Sequence, residues 1–181
     1  MEFNVKNVST RLTDYNEIKS LFVTAFPENE RLPMWLLRFL SRGKNVRFEA
    51  FYDAERFCGL AYTIHSEKMI FLVYLAVDDR LRSKGYGTRI LHWLKKRANG
   101  KAVVLNVEAP DKSADNYEQR VKRLAFYGRN NVHKTSYLLK VRKDTYHILS
   151  THPQFPLDEL KSFVKKYHMG TIEEAQPPSA D

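Results

Sequence analysis

Cysteine occurs once in the 181 residues, tryptophan twice, and glycine and proline seven times each. A lone Cys58 cannot form an internal disulfide. No Cys/His spacing suits a zinc site, so neither a disulfide scaffold nor a structural metal is expected. His65, His92, His133, His147, His152 and His168 are scattered without ligand spacing, and no metal is expected at them. No apolar run reaches membrane-spanning length. The start, Met1-Glu2-Phe3-Asn4, lacks the basic-then-apolar pattern of a signal peptide. Internal repeats are missing, and the one low-complexity tract is Gln176-Pro177-Pro178-Ser179-Ala180-Asp181. Acidic residues are the scarcer charge, 21 against 30 basic, for a net +9. That excess attracts anions and leaves nucleic acid, a membrane surface and a phosphate-rich cofactor as candidate partners. Apolar residues are not scarce: they make up 43% of the chain and aromatics 13%, enough for a self-supporting core. The composition describes a soluble, basic α/β domain expected in the cytoplasm.

Hydrophobic spacing supplies the element order. Phe3–Val8 reads as a strand, and a helix follows from Thr13 or Asp14, with Ile18, Leu21, Phe22 and Ala25 on one face. A polar loop, Phe26 to Pro33, separates it from a second helix at Met34–Leu40. Arg47–Asp53, Arg56–Ser66 and Met69–Val77 are strand-like with breaks of hairpin length, which predicts an antiparallel meander. The third run lacks alternation, as in a strand buried on both faces. A helix from about Thr88 to Ala98 and a strand at Lys101–Glu108 then make a parallel crossover. A helix over Asn116–Arg129, a hairpin of Val132–Val141 and Thr145–Ser150 turned at Lys143-Asp144, and an amphipathic helix over Asp158–Tyr167 complete the reading. The expected fold is α/β (α+β), with a central mixed sheet flanked by helices. One domain is expected over residues 1–150, a C-terminal helical extension over 151–170, and a flexible tail over 171–181.

The chemistry-bearing segment is Leu75-Ala76-Val77-Asp78-Asp79-Arg80-Leu81-Arg82-Ser83-Lys84-Gly85-Tyr86-Gly87-Thr88. A buried strand runs into a loop with two closely spaced glycines, and that loop opens a helix. Unpaired backbone N–H groups and the helix dipole make such a junction an anion site suited to phosphate. Gly85 and Gly87 let the backbone approach closely, Thr88 adds a hydroxyl, and Arg80, Arg82, Lys84 and Arg89 raise the local field. A P-loop spacing is absent, and Ile90 replaces the third glycine of a dinucleotide fingerprint. The two glycines by themselves also suit a merely tight connection.

Arg82-Ser83-Lys84-Gly85-Tyr86-Gly87 resembles the Arg/Gln-x-x-Gly-x-Gly/Ala signature of the GNAT superfamily, the acyl-CoA-dependent N-acetyltransferases. Leu124-Ala125-Phe126-Tyr127-Gly128-Arg129-Asn130-Asn131-Val132 is similar to the family's Phe-Tyr-x-x-x-Gly-Phe segment, with Asn131-Val132 in place of Gly-Phe. Asn tolerates the left-handed conformation that a helix end needs there. A frequent family Asn is replaced by Arg120. The resemblance covers roughly residues 1–141.

The resemblance implies that the two parallel strands splay. Acetyl-CoA would then lie in a V-shaped gap between Met69–Val77 and Lys101–Glu108, contacting Leu75, Ala76, Val77, Arg82, Ser83, Lys84, Gly85, Tyr86, Gly87 and Thr88. It further implies Tyr127 as general acid toward the leaving thiolate, although a tyrosine in that helix also suits a core role. Glu108 is the candidate general base. Glu28 and Glu30, in the loop that walls the acceptor site, are alternatives, as is water. The implied activity is acetyl transfer from acetyl-CoA to a primary amine on a small molecule, peptide or protein, by direct attack. No specific nucleic acid or membrane partner is expected, and homodimers are common for this fold. A noncatalytic basic module binding nucleic acid, and an acyl-CoA-binding protein without transferase activity, stand as alternatives.

Overall fold

The computed structural model describes residues 3–28, 30–167 and 169–175, so the polar tract at 176–181 lies outside the described residues. The chain forms two compact units, Met1–His65 with Leu72–Arg97, and Ser66–Phe71 with Ala98–Asp181.

The first unit holds β1 (Asn4–Asn7), α1 (Tyr15–Ala25), α2 (Met34–Leu40), β2 (Val46–Asp53), β3 (Arg56–His65), the later part of β4 (Met69–Val77) and nearly all of α3 (Tyr86–Ala98). Its strand order is β1-β2-β3-β4. Antiparallel pairing sets Asn4 opposite Tyr52 and Asn7 opposite Glu49. It also sets Val46 opposite Ile64 and Asp53 opposite Arg56, as the meander predicts. Ile18, Leu21 and Phe22 turn inward from α1 at helical spacing. Phe22 meets Phe48 and Tyr74 edge-on, a favourable aromatic arrangement. The helix ends where Phe26 becomes extended ahead of Pro27. Gly59 on β3 lies so close to β4 that a Cβ would collide with the Ala76 carbonyl oxygen and crowd Ile90 on α3. Cys58 beside it is fully buried, and burial raises its thiol pKa, which suits a small core residue.

The second unit holds the start of β4, β5 (Ala102–Glu108), α4 (Tyr117–Arg129), β6 (His133–Val141), β7 (Asp144–Ser150), α5 (Leu157–Lys166) and β8 (Thr171–Glu174). The order is β4-β5-β7-β6-β8. The Ala102 N–H donates to Lys68 C=O at 3.2 Å, and Ile70, Ala98 and Val103 pack together. β5 therefore sets out alongside β4 in the same direction, and the sheet of this α/β fold is mixed. β7 pairs antiparallel with β5 and β6. The β6–β7 turn is Arg142-Lys143, with Arg142 at φ 53°, one residue earlier than its sequence suggests.

α5 lies where its amphipathic pattern predicts, burying Leu160 and Val164. The segment after it departs from expectation. Thr171–Glu174 is not tail but a strand, set on β6 with Leu139 opposite Ile172. Gly170 makes this possible: its φ is 118°, and a Cβ would strike the Lys140 carbonyl. α4 ends as the Asn131 substitution predicts. Asn131 takes φ 53°, and the N–H groups of Asn131 and Val132 donate to Gly128 and Tyr127 C=O, each at 3.0 Å, the pairing of a left-handed helix cap.

Candidate active site

Beyond β4 the chain is organised around Asp78. Its N–H donates to Cys58 C=O at 2.9 Å, and its carboxylate accepts from the Arg80 backbone N–H and Nε, each at 2.9 Å. A single 3-10 turn, Asp79–Leu81, buries Leu81. Ser83 and Gly85 then adopt φ 61° and 81°. The first backbone bond of α3 runs from Arg89 N–H to Gly85 C=O at 3.0 Å. The N–H groups of Tyr86, Gly87 and Thr88 in this first turn consequently lack helical acceptors and point out along the axis. A Cβ built at Gly85 meets nothing within 4 Å, so the space beside Gly85 is open. The loop has the form of an anion cradle made of backbone. Leading into it on β4, Ala76 is buried while Leu75 and Val77 are half-buried.

The side-chain charges around the cradle are largely cancelled. Arg80 pairs with Glu17 and Asp78, Arg82 with Asp79 at 2.6 Å, and Arg89 with Asp53 at 2.8 Å. Hydrogen bonding from Arg80 lowers the Asp78 pKa. Arg89 and the Tyr86 hydroxyl, which donates at 2.9 Å, do the same for Asp53. Of the four cations expected to build the field, only Lys84 is exposed with no carboxylate partner among the described residues.

The Glu28 and Glu30 loop is fastened to β4. The Tyr74 hydroxyl donates to Glu30 C=O at 3.1 Å and accepts from Leu32 N–H at 3.2 Å, and its ring packs on Phe26. Arg31 reinforces the loop, donating to Phe26 C=O at 2.8 Å. Glu28 is exposed and Glu30 half-buried. Sequence reasoning missed Tyr74. Its signal was a lone hydroxyl within an apolar run, which needs a partner once buried.

In the second unit, Glu108 ends β5 at 8% exposure. Arg120 Nη2 approaches its Oε1 at 2.8 Å and Arg123 Nη1 its Oε2 at 3.2 Å. Both oxygens are thus engaged by guanidinium groups. Arg120, at the family's Asn position, also donates to Ala109 C=O and Asn116. The basic run 120–123 is in this way tied to a carboxylate, which reduces what it offers a nucleic acid.

Tyr127 is 8% exposed on α4. Burial pushes its phenol up to about 12, with the Arg123 charge pulling the other way. Among the described residues its hydroxyl has no hydrogen-bond partner. A buried tyrosine hydroxyl ordinarily finds a partner, so this one has a donor to offer. No group of three His, Cys, Asp or Glu able to hold a metal occurs among the described residues. No helix there is long and apolar enough to cross a membrane.

The protein has a mixed-sheet α/β fold with a backbone anion cradle between β4 and the following helix. The Acetyltransferase (GNAT) family matches residues 15–121, and the chain belongs to it. Solved structures share the fold. A Bacteroides thetaiotaomicron protein described as a GNAT-family acetyltransferase is 21% identical, covering 93% of this chain and 96% of its own, with TM-score 0.71. An aminoglycoside 6'-N-acetyltransferase complexed with coenzyme A is 14% identical over 84% and 99%, TM-score 0.61. The Escherichia coli ribosomal-protein-S18-alanine N-acetyltransferase is 16% identical over 82% and 92%, TM-score 0.55. A search of curated protein sequences found no match.

Proposed function

We propose that the protein transfers an acetyl group from acetyl-CoA to a primary amine by direct attack. The observation that carries this reading is the cradle at Ser83–Thr88: left-handed backbone at Ser83 and Gly85, unpaired helix-start N–H groups, and open space beside Gly85. These features fit a pyrophosphate, and family membership supplies the acyl-CoA context. The carrier contributes an activated thioester. The chain contributes backbone donors at Gly85–Thr88 and the flanking residues Arg82, Ser83 and Lys84. Leu75, Ala76 and Val77 supply strand contacts.

Tyr127 is the proposed donor to the leaving thiolate. Its phenol remains protonated throughout the neutral range. An alkyl thiol has a pKa of about 8.5, so complete transfer from a phenol near 12 is uphill by roughly 3–4 units. The hydroxyl therefore acts by a hydrogen bond that strengthens as negative charge develops. Glu108 serves best as an anchor for Arg120 and Arg123. The ammonium proton then leaves through water, or through Glu28 or Glu30 on the loop tethered by Tyr74. The names of structural relatives include an aminoglycoside and a ribosomal-protein alanine acetyltransferase, and both acceptor kinds fit a primary-amine requirement.

The test is steady-state thiol release from acetyl-CoA across an amine panel, with Tyr127→Phe beside the wild type. Loss of the hydroxyl should lower kcat and kcat/KM together by about 10²–10³-fold with KM little changed. The wild-type pH–rate profile should show no alkaline limb from Tyr127 until the approach to pH 12. A folded variant with normal turnover removes Tyr127 from the reaction.

A further inference from the structure

A second anion-attracting feature lies in the first unit, apart from the glycine loop. The segment following β1 and the end of α2 line a cleft of about 400 Å³. Its walls carry Arg11, Arg38 and Arg42 with the hydroxyl residues Ser9, Thr10 and Ser41, and no carboxylate. Tyr15 holds Arg38 in place: Nη1 donates to the phenol oxygen at 2.9 Å, and the guanidinium lies 5.4 Å from the ring centroid. That contact fixes the fork without cancelling its charge. Arg11 and Arg42 are exposed, and neither has an acidic partner among the described residues. Ser9 Oγ accepts from the Arg11 backbone N–H at 3.3 Å, which leaves its own proton free to donate.

The cleft and the glycine loop sit at opposite ends of β1. Phe3 lies 6.4 Å from Tyr86 at one end, and Val8 lines the cleft at the other. The four residues of β1 lie between them, a span of roughly 16 Å from Phe3 to Val8. Three like charges lining one cleft repel each other, and an anion placed among them relieves the repulsion. Guanidinium forks match the oxygens of a phosphate, and the hydroxyls add donors of the right kind. A cleft of this volume suits a compact ligand, whereas a nucleic-acid backbone calls for an extended basic stripe. We propose that this cleft binds a phosphomonoester dianion at a site separate from the acyl-CoA loop.

Calorimetric titration of the full chain with inorganic phosphate and with glycerol 3-phosphate, at constant ionic strength, tests this. A single-stranded RNA oligomer is run as a third ligand. Arg11→Ala combined with Arg42→Ala changes only exposed side chains, and thermal unfolding checks that the double variant is folded. It should lose roughly tenfold or more in affinity for both phosphates. Arg11→Lys with Arg42→Lys, which keeps charge but not the fork, should fall between. The proposal is overturned by phosphate affinity unchanged in the double alanine variant, or by no wild-type binding at millimolar concentrations. RNA binding that depends on Arg11 and Arg42 without binding of the small phosphates also overturns it.

Discussion

Two regions of the first unit attract anions by different means. At the glycine loop, Arg80, Arg82 and Arg89 are all paired with carboxylates, and the donors left over are backbone N–H groups at the start of α3. At the cleft, Arg11, Arg38 and Arg42 meet no carboxylate, and the backbone has no part in the argument. A count of basic residues ranks the glycine loop as the stronger electrostatic site. The ion pairs reverse that ranking. Recognition at the loop rests on where the chain places its peptide groups, and recognition at the cleft on uncancelled side-chain charge.

The largest expected effect is at Gly85. Valine there is strained at φ 81° and projects into open space. Acetyl-CoA affinity of Gly85→Val, measured by calorimetry, should fall by about 100-fold, the order lost when a dedicated donor is removed. Phosphate binding at the cleft should persist. Equal loss at both places would break the comparison. Next is Gly59→Ala, which forces β3 against the Ala76 carbonyl and should cost about 1–3 kcal/mol in chemical denaturation. The strand feeding the loop would be disturbed, so its KM should rise more than phosphate affinity falls. The smallest effect belongs to Arg82→Gln. Its charge already faces Asp79 across an exposed pair, and such pairs contribute little. The KM for acetyl-CoA should change by less than about threefold. A large increase would show that side-chain charge does matter at the loop.

The helices and the β2–β4 meander were legible because their apolar spacing and short breaks are local signals. The left-handed end of α4 was legible too, since Asn131 is among the few residues that accept that backbone. The charge pairing was not. Glu17 lies 63 residues from Arg80 and Asp53 lies 36 from Arg89, and only the folded sheet brings them together. Glu108 was correctly placed at the end of β5. Its two guanidinium partners come from α4, a helix whose facing direction no strand pattern discloses. β8 was missed because Thr171-Ile172-Glu173-Glu174 is short and polar. Its strand character is supplied by β6, which offers an edge to pair with.

That last pairing bears on how the chain behaves in company. Without β8, the edge of β6 at Tyr137–Lys140 would present unpaired peptide groups, a template for strands of other molecules. With it, the outermost strand is four residues long and ends in two glutamates, both of which discourage further addition. Thr171–Glu174 works as a stopper on the sheet. A truncation at Gly170, or a fusion that pulls the last strand away, would leave the rest of the second unit built as before but prone to self-association.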